Sequence, residues 1–433
     1  MKVGLCLLFF AMAGYSQVQD PATQQQTDVG PTILSRTDMQ VPAQVAREGG
    51  GNSFDYFFSV DGFYSTGVPL YNRTSNGGYG DSPGFDAGGG LDLHHNFRKG
   101  SVSLEYSGTW REYANGSYYN GYQQGLNFVL KYALTRRLQL SARQTIASAP
   151  NGTGLYQFSQ SGVASTTGLA GESRVYVTAG TLTYQQSARL SYDIVGDFYA
   201  SQYRPVSTYD SLGGGATGSI NYRTSKKATV SFAYSFSHFS YSQTSADNSN
   251  NQSVYATYAY EVSPRTQFAV SGGATSASVT QMLEIGGSPP SFETIHSTTT
   301  FPYFMAQFEH RAGRVSASIQ AYQRAMAGNG YIGVSKALGF SGSAGYTPSP
   351  KWAVSGTAGY QYLTVLGATT TSGNNAGTFA SIGLSYKLSR HFGLHSGVQF
   401  YSYDYYGSVG RQPTTTLTFG LTFNSGDRPI IFF

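Results

Sequence analysis

The stretch 417–423 reads Leu-Thr-Phe-Gly-Leu-Thr-Phe, so every second side chain in it is large and apolar. Side chains of an extended chain point alternately to two faces. One face of this stretch therefore carries only the apolar residues Leu417, Phe419, Leu421 and Phe423. The same period-two pattern recurs from residue 54 onward through almost the whole chain, which predicts a large sheet with one apolar and one polar face.

The composition decides what such a sheet can do with its apolar face. Charged residues make up only 11% of the 433 residues, whereas aromatic residues reach 15%, and there are 54 glycines. Beyond the N-terminus no apolar run approaches the about 20 residues that a membrane helix needs. We therefore predict an all-β fold, a transmembrane antiparallel up-and-down β-barrel with its apolar face in lipid. The net charge of +5 shows no clustered basic face, so no nucleic-acid partner is expected.

Residues 1–16 predict a secretory signal peptide. Lys2 precedes an apolar run that ends in small residues, which places the cleavage site after Ser16. The only cysteine, Cys6, lies within this run. The exported chain is therefore expected to hold neither disulfides nor thiolate metal sites.

The rest of the chain divides into three parts. Residues 17–52 are rich in Gln, Thr, Pro and Gly, which predicts a flexible periplasmic segment. Because residues 31–34 are more apolar, a small plug inside the barrel is the alternative. Residues 53–423 are predicted to form the barrel, and residues 424–433 a short C-terminal tail.

Two kinds of connection alternate along the predicted barrel. Short turns carry Lys or Arg in nearly every case, as in Arg98-Lys99 and Arg136-Arg137. The longer polar connections are predicted at 65–84, 147–173, 243–251, 284–300 and 368–377. Short periplasmic turns and longer outside loops are the asymmetry of outer-membrane barrels. The spacing predicts about 18 strands, with 16 as the alternative.

The signal peptide, the alternation, the turn asymmetry and the aromatic last strand together resemble a Gram-negative outer-membrane β-barrel protein of porin type. The resemblance implies export through the periplasm to the bacterial outer membrane, with contacts to membrane lipid and lipopolysaccharide. It also implies insertion by the barrel assembly machinery, which reads an aromatic residue closing the last strand, here either Phe423 or Phe433. A homotrimer is left open, and no cofactor is implied.

The predicted inward face is mostly Ser, Thr, Gly and Gln, with a minority of charges. The acidic pore-lining candidates are Asp55, Asp61, Asp86, Asp92, Glu105, Asp193 and Asp197. The basic candidates are Arg111, Lys131, Arg143 and Arg324. Opposed charges across a pore would bias ion selectivity. The alternative is that they pair across neighbouring strands and stabilise the wall.

Inward aromatic residues are a second feature of the predicted lumen. They are Phe239, Tyr241, Tyr322, Tyr401 and Tyr403. Aromatic faces in a channel can stack on sugar rings. The alternative is that they pack against loops, or that the alternation slips near the rim.

Signals for catalysis are poor, so neither an enzyme nor a metal site is predicted. Gly80-Asp81-Ser82-Pro83-Gly84 matches G-x-S-x-G but has no strand–turn–helix context. His391 and His395 share a face but lie roughly 13 Å apart on a strand. The predicted function is passive diffusion of small hydrophilic solutes. The alternatives are a channel selective for sugars or apolar solutes, and a structural or adhesive barrel without transport.

Overall fold

The computed structural model describes residues 52–69, 79–117, 120–150, 172–203, 210–241, 248–285, 291–326, 334–367, 374–404 and 412–425. Eighteen β-strands occupy these residues. They are β1 Ser53–Pro69, β2 Tyr79–Phe97, β3 Gly100–Tyr113, β4 Gly121–Ala133, β5 Leu138–Pro150, β6 Glu172–Gln185, β7 Leu190–Tyr203, β8 Ser211–Arg223, β9 Ala228–Tyr241, β10 Asn248–Ser263, β11 Thr266–Ile285, β12 Ser291–Ala312, β13 Val315–Met326, β14 Ser335–Ser349, β15 Trp352–Val365, β16 Asn374–Lys387, β17 Phe392–Asp404 and β18 Gln412–Asn424.

The strands form one closed barrel. Each strand pairs antiparallel with its neighbours in chain order, and β1 pairs with β18 to complete the ring. At this closure Val60 lies opposite Leu421 and Phe58 opposite Phe423. The predicted all-β barrel and its count of 18 strands are confirmed. Within the described residues no helix is long and apolar enough to cross a membrane.

The connections at the two ends of the barrel differ in length. At one end, called the turn end, consecutive strands are joined by turns of two to four residues, such as 98–99 and 388–391. At the other, called the outer end, the connections are longer, and the longest spans 151–171. The predicted asymmetry is therefore present.

All the predicted loops are longer than the structure has them, because the flanking strands extend into 65–84, 147–173, 243–251 and 368–377. The loop predicted at 284–300 is wrong over most of its length. Residues 284–300 were expected to be irregular, but β11 and β12 pair continuously as far as Ile285 opposite Ser291. In this part of the hairpin the outward face carries Thr294, His296, Thr298 and Thr300. The hydrophobic alternation stops while the hydrogen-bonded ladder continues, because threonine is a good strand residue whether or not it faces lipid.

The outward face is apolar and exposed across the middle of the barrel. Val60, Phe232 and Phe419 are each more than 60% exposed, and many other large apolar side chains share this face. Outward tyrosines form a ring near the turn end on the even-numbered strands β4, β6, β8, β10, β14 and β16: Tyr132, Tyr184, Tyr222, Tyr260, Tyr346 and Tyr386. An apolar band edged by aromatic residues is the outside of a membrane-spanning barrel.

Buried apolar side chains lie on the inward face and gather toward the outer end. The largest cluster includes Val175, Tyr199, Phe239 and Phe301, from four different strands. Of the predicted chain divisions, the signal peptide at 1–16 and nearly all of 17–52 and 424–433, Phe433 included, lie outside the described residues.

Candidate channel interior

Hydroxyl pairs between neighbouring strands form much of the inward face. Thr257 contacts Ser271 at 2.8 Å, and Thr357 contacts Ser381 at 2.8 Å, in each case hydroxyl to hydroxyl. Such pairs satisfy the polar groups of the wall and stabilise the sheet. The inward face is therefore polar and hydrogen-bonded through much of the barrel.

The structure places the candidate residues on the side of the strands that faces inward, opposite the exposed apolar side chains. Those whose side chains are described are Asp55, Asp61, Asp86, Asp92, Glu105, Arg111, Lys131, Arg143, Asp193, Asp197, Tyr322, Arg324 and Tyr401. Tyr403 lies on β17, but its side chain is outside the described part of the structure.

Two rows of charged residues cross β1, β2 and β3. In the row nearer the outer end, Asp61 lies opposite Asp86, which lies opposite Arg111. In the row nearer the turn end, Asp55 lies opposite Asp92, which lies opposite Glu105. These two rows bring together six of the predicted residues, five of them acidic.

The outer row has a basic residue at each of its ends. Arg111 donates from Nε and Nη2 to the two carboxylate oxygens of Asp86, at 2.9 and 2.6 Å. This bidentate geometry is the strongest form of the pair. At the other end His395 of β17 contacts the carboxylate of Asp61, Nε2 to Oδ1 at 2.5 Å.

Sequence reasoning missed the role of His395. The sequence pattern shows only that it shares a face with His391. Its contact with Asp61 becomes visible only from the pairing of β17, β18 and β1, which the sequence pattern does not supply. The sequence feature that accompanies this contact is Gly420, the small residue that lies opposite both Asp61 and His395.

The inner row is bordered by an amide and then by basic residues. The Glu105 side chain is hydrogen-bonded to Asn127 of β4. Arg143 of β5 donates from Nε to Asn127 Oδ1 at 3.2 Å, and Thr145 donates to the same oxygen at 3.2 Å. Lys131 lies four residues along β4 from Asn127 on the same face. Negative charge is thus concentrated on β1–β3 and positive charge on β4–β5.

Asp193 and Asp197 lie on β7, away from these rows. Asp193 is buried and accepts hydrogen bonds from Thr183 Oγ1 at 2.6 Å and from the side-chain amide of Asn221. Asp197 lies near enough to Arg324 of β13 for an electrostatic interaction. Asp193 is therefore hydrogen-bonded within the barrel wall. Asp197 instead interacts with a positive charge, that of Arg324, on a distant strand.

The inward aromatic rings pack over glycines of neighbouring strands. Tyr199 and Phe239 lie 5.6 Å apart over Gly213, where a Cβ would be 2.5 Å from Tyr199 Cε1 and 2.6 Å from Phe239 Cδ1. Tyr322 lies in the same way against Gly339. The alternation does not slip at these positions.

The faces of these rings are largely covered. The Arg324 guanidinium lies 5.1 Å from the centre of the Tyr322 ring, the ring also lies against Gly339, and Tyr322 is only 4% exposed. The Tyr401 hydroxyl donates to Gln399 at 3.0 Å. A ring stacks on a sugar only through an open face, so Tyr322 is not a sugar platform.

Within the described strands and turns, no group of three or more His, Cys, Asp or Glu residues is arranged to hold a metal ion. The geometry of the acidic rows suits an electrostatic influence on solutes inside the barrel.

An antiparallel sheet of eighteen strands that closes on itself, with an exposed apolar band outside and a polar face inside, is the architecture of outer-membrane β-barrel proteins. No protein-family model matches the chain, and no curated protein matches its sequence.

Similar solved structures include three outer-membrane barrels or transporters. For the ferric-catecholate import receptor Fiu from E. coli K12 the identity is 9% and the TM-score 0.46, over 87% of this chain and 82% of that one. For OccAB2 of Acinetobacter baumannii the values are 10% and 0.40, over 87% and 99%. For the copper transporter OprC they are 10% and 0.43, over 87% and 83%. At these scores no conclusion about this chain follows from the likeness.

Proposed function

We propose that this protein is an outer-membrane channel through which small hydrophilic solutes diffuse passively, with a preference for cations. A barrel of 16–18 strands is wide enough to leave an aqueous path. The polar inward face supports such a path, since hydroxyl groups of Ser and Thr line much of it.

The inner acidic row is the single observation that carries the cation preference. Asp55, Asp92 and Glu105 face one another on three adjacent strands, and Arg143 of β5 lies near enough to Glu105 for an electrostatic interaction. The outer row differs, because its Asp86 forms a bidentate ion pair with Arg111. Clustered negative charge in a low-dielectric wall attracts cations into the lumen.

The test is the reversal potential of the refolded protein in planar bilayers, recorded across a gradient of potassium chloride. We expect open channels with potassium more permeant than chloride. Bilayers that stay at baseline would contradict the channel, and a chloride preference would contradict the assignment of the acidic row.

Asp92→Asn tests the row directly. Removing one lumen carboxylate should lower the potassium-to-chloride permeability ratio toward one, by roughly a factor of two. Asp81→Asn is the matched control, because Asp81 lies on the outward side of β2 and accepts a hydrogen bond from Tyr64 at 3.3 Å. The control removes the same charge from outside the lumen and should leave selectivity unchanged.

A channel selective for apolar solutes is the second candidate. The buried apolar cluster at the outer end, with Tyr199, Phe239 and Phe301, favours it. Uptake of an apolar solute by proteoliposomes, with little ionic conductance, would support this candidate over the first.

A further inference from the structure

Gly420 lies between two charged residues at the place where the barrel closes. On one side it pairs with Asp61 of β1, and on the other with His395 of β17. The two side chains meet over this glycine, with His395 Nε2 and Asp61 Oδ1 at 2.5 Å. The contact therefore joins β1 to β17 across the whole width of β18.

The absence of a side chain at Gly420 is a requirement of this contact. A Cβ at this position would collide with Asp61 Oδ1 and would lie 2.6 Å from His395 Nε2. By contrast, a Cβ at Gly62, one residue further along β1 on the outward face, would meet nothing within 4 Å. Glycine at 420 is thus fitted to the charged pair.

The imidazole of His395 is hydrogen-bonded through one nitrogen. Nδ1 lies 3.1 Å from Thr422 Oγ1 on β18, and the residue is only 5% exposed. Thr422 therefore fixes the ring on the strand that the ring crosses, and Nε2 lies against the carboxylate of Asp61 on the strand beyond it.

The surrounding charges are few among the described residues. Asp86 lies opposite Asp61 and is neutralised by Arg111. On β16, Ser385 lies opposite His395, and Lys387 follows at the turn end on the same face. The remaining titratable neighbour is His391, in the turn before β17, whose Nδ1 contacts the Asn424 carbonyl.

We propose that His395 and Asp61 form a latch that holds the closing strand β18 between β1 and β17. Their contact joins the two neighbours of β18 over Gly420, so it resists the separation of β18 from either of them.

The first experiment measures unfolding rates of the full chain carrying Cys6→Ser, refolded into lipid vesicles and followed in urea by tryptophan fluorescence. His395→Gln and Asp61→Asn should each accelerate unfolding by about fivefold or more. Gly420→Ala should accelerate it as well, and Gly62→Ala is its control. Unfolding rates of His395→Gln and Asp61→Asn that equal the wild-type rate would overturn the latch.

A disulfide placed on the outward face then locates the effect at the closure. Val60 and Leu421 are paired across β1 and β18, and Phe232 and Ala256 are paired across β9 and β10. Each pair is replaced by cysteines and oxidised after folding. The β1–β18 disulfide should abolish the difference between wild type and His395→Gln, whereas the β9–β10 disulfide should preserve it.

Asp193→Asn is the matched control for a buried inward carboxylate away from the closure. Its effect should be the same with either disulfide. An effect of His395→Gln that survives the β1–β18 disulfide would overturn the latch. None of these measurements requires ion conduction, so a failure of the latch can be distinguished from a failure of the proposed channel.

Discussion

The pair of Asp86 and Arg111 offers the sharpest energetic test of the lumen wall. Arg111→Gln removes the bidentate partner of Asp86, a residue that is only 5% exposed in the intact wall and lies directly opposite Asp61. Removing one member of a buried ion pair costs about 3–5 kcal/mol. The Arg111 side chain is 15% exposed, which favours the lower end of that range.

A second contact of Arg111 adds a smaller amount. Its guanidinium lies 5.0 Å from the centre of the Phe63 ring, a cation–π contact that contributes about 0.5–1 kcal/mol. We therefore expect the free energy of unfolding of Arg111→Gln to fall by about 3–4 kcal/mol. The measurement is a urea titration of the refolded barrel followed by tryptophan fluorescence, for which Trp110 is the adjacent residue.

The double variant Asp86→Asn/Arg111→Gln separates the charge from the packing. With no buried carboxylate left uncompensated, it should lose only about 1 kcal/mol. Arg136→Gln is the matched control, because Arg136 is exposed in the turn 134–137. An Arg111→Gln variant within about 0.5 kcal/mol of the wild type would refute the reasoning, as would a double variant that is no more stable than the single one.

Two further substitutions test the two faces of the sheet. Gly213→Ala should lower the free energy of unfolding by about 1–3 kcal/mol, because its methyl group displaces the rings of Tyr199 and Phe239. Urea titration measures this change. An unchanged free energy would mean that the two rings move aside freely. Phe419→Lys should lower the free energy of unfolding in lipid by about 2–4 kcal/mol, since Phe419 is 61% exposed on the outward face. The same titration in vesicles checks this. Thr294→Lys on the extended hairpin is the control and should leave the free energy of unfolding almost unchanged.

The barrel could be predicted because the surroundings of each strand determine which residue types alternate along it. Lipid outside and polar groups inside impose a period of two, and Leu417 to Phe423 show it without interruption. The outer part of the β11–β12 hairpin was not predicted, because the prediction relied on this alternation. Beyond the apolar band both of its faces tolerate hydroxyl residues, so no alternation marks strands that the hydrogen bonds nevertheless form.

The interior could be predicted only in part. The inward direction of Asp86 and Arg111 follows from alternation, but their partnership depends on the register between strands. The contact of Asp61 with His395 depends on two registers at once and on residues more than 300 positions apart. Alternation likewise shows that Tyr322 points inward and does not reveal that Gly339 receives its ring.

The pairing of the first strand with the last can form only when the whole chain is present. Until β18 is in place, one edge of β1 has no partner, and an open strand edge invites pairing with other chains. The backbone N–H of Tyr56 reaches its acceptor, the Ser425 hydroxyl, across 369 residues of sequence. The pairing that closes the barrel therefore joins the first and the last strand of the chain, and one edge of β1 stays open until β18 reaches it.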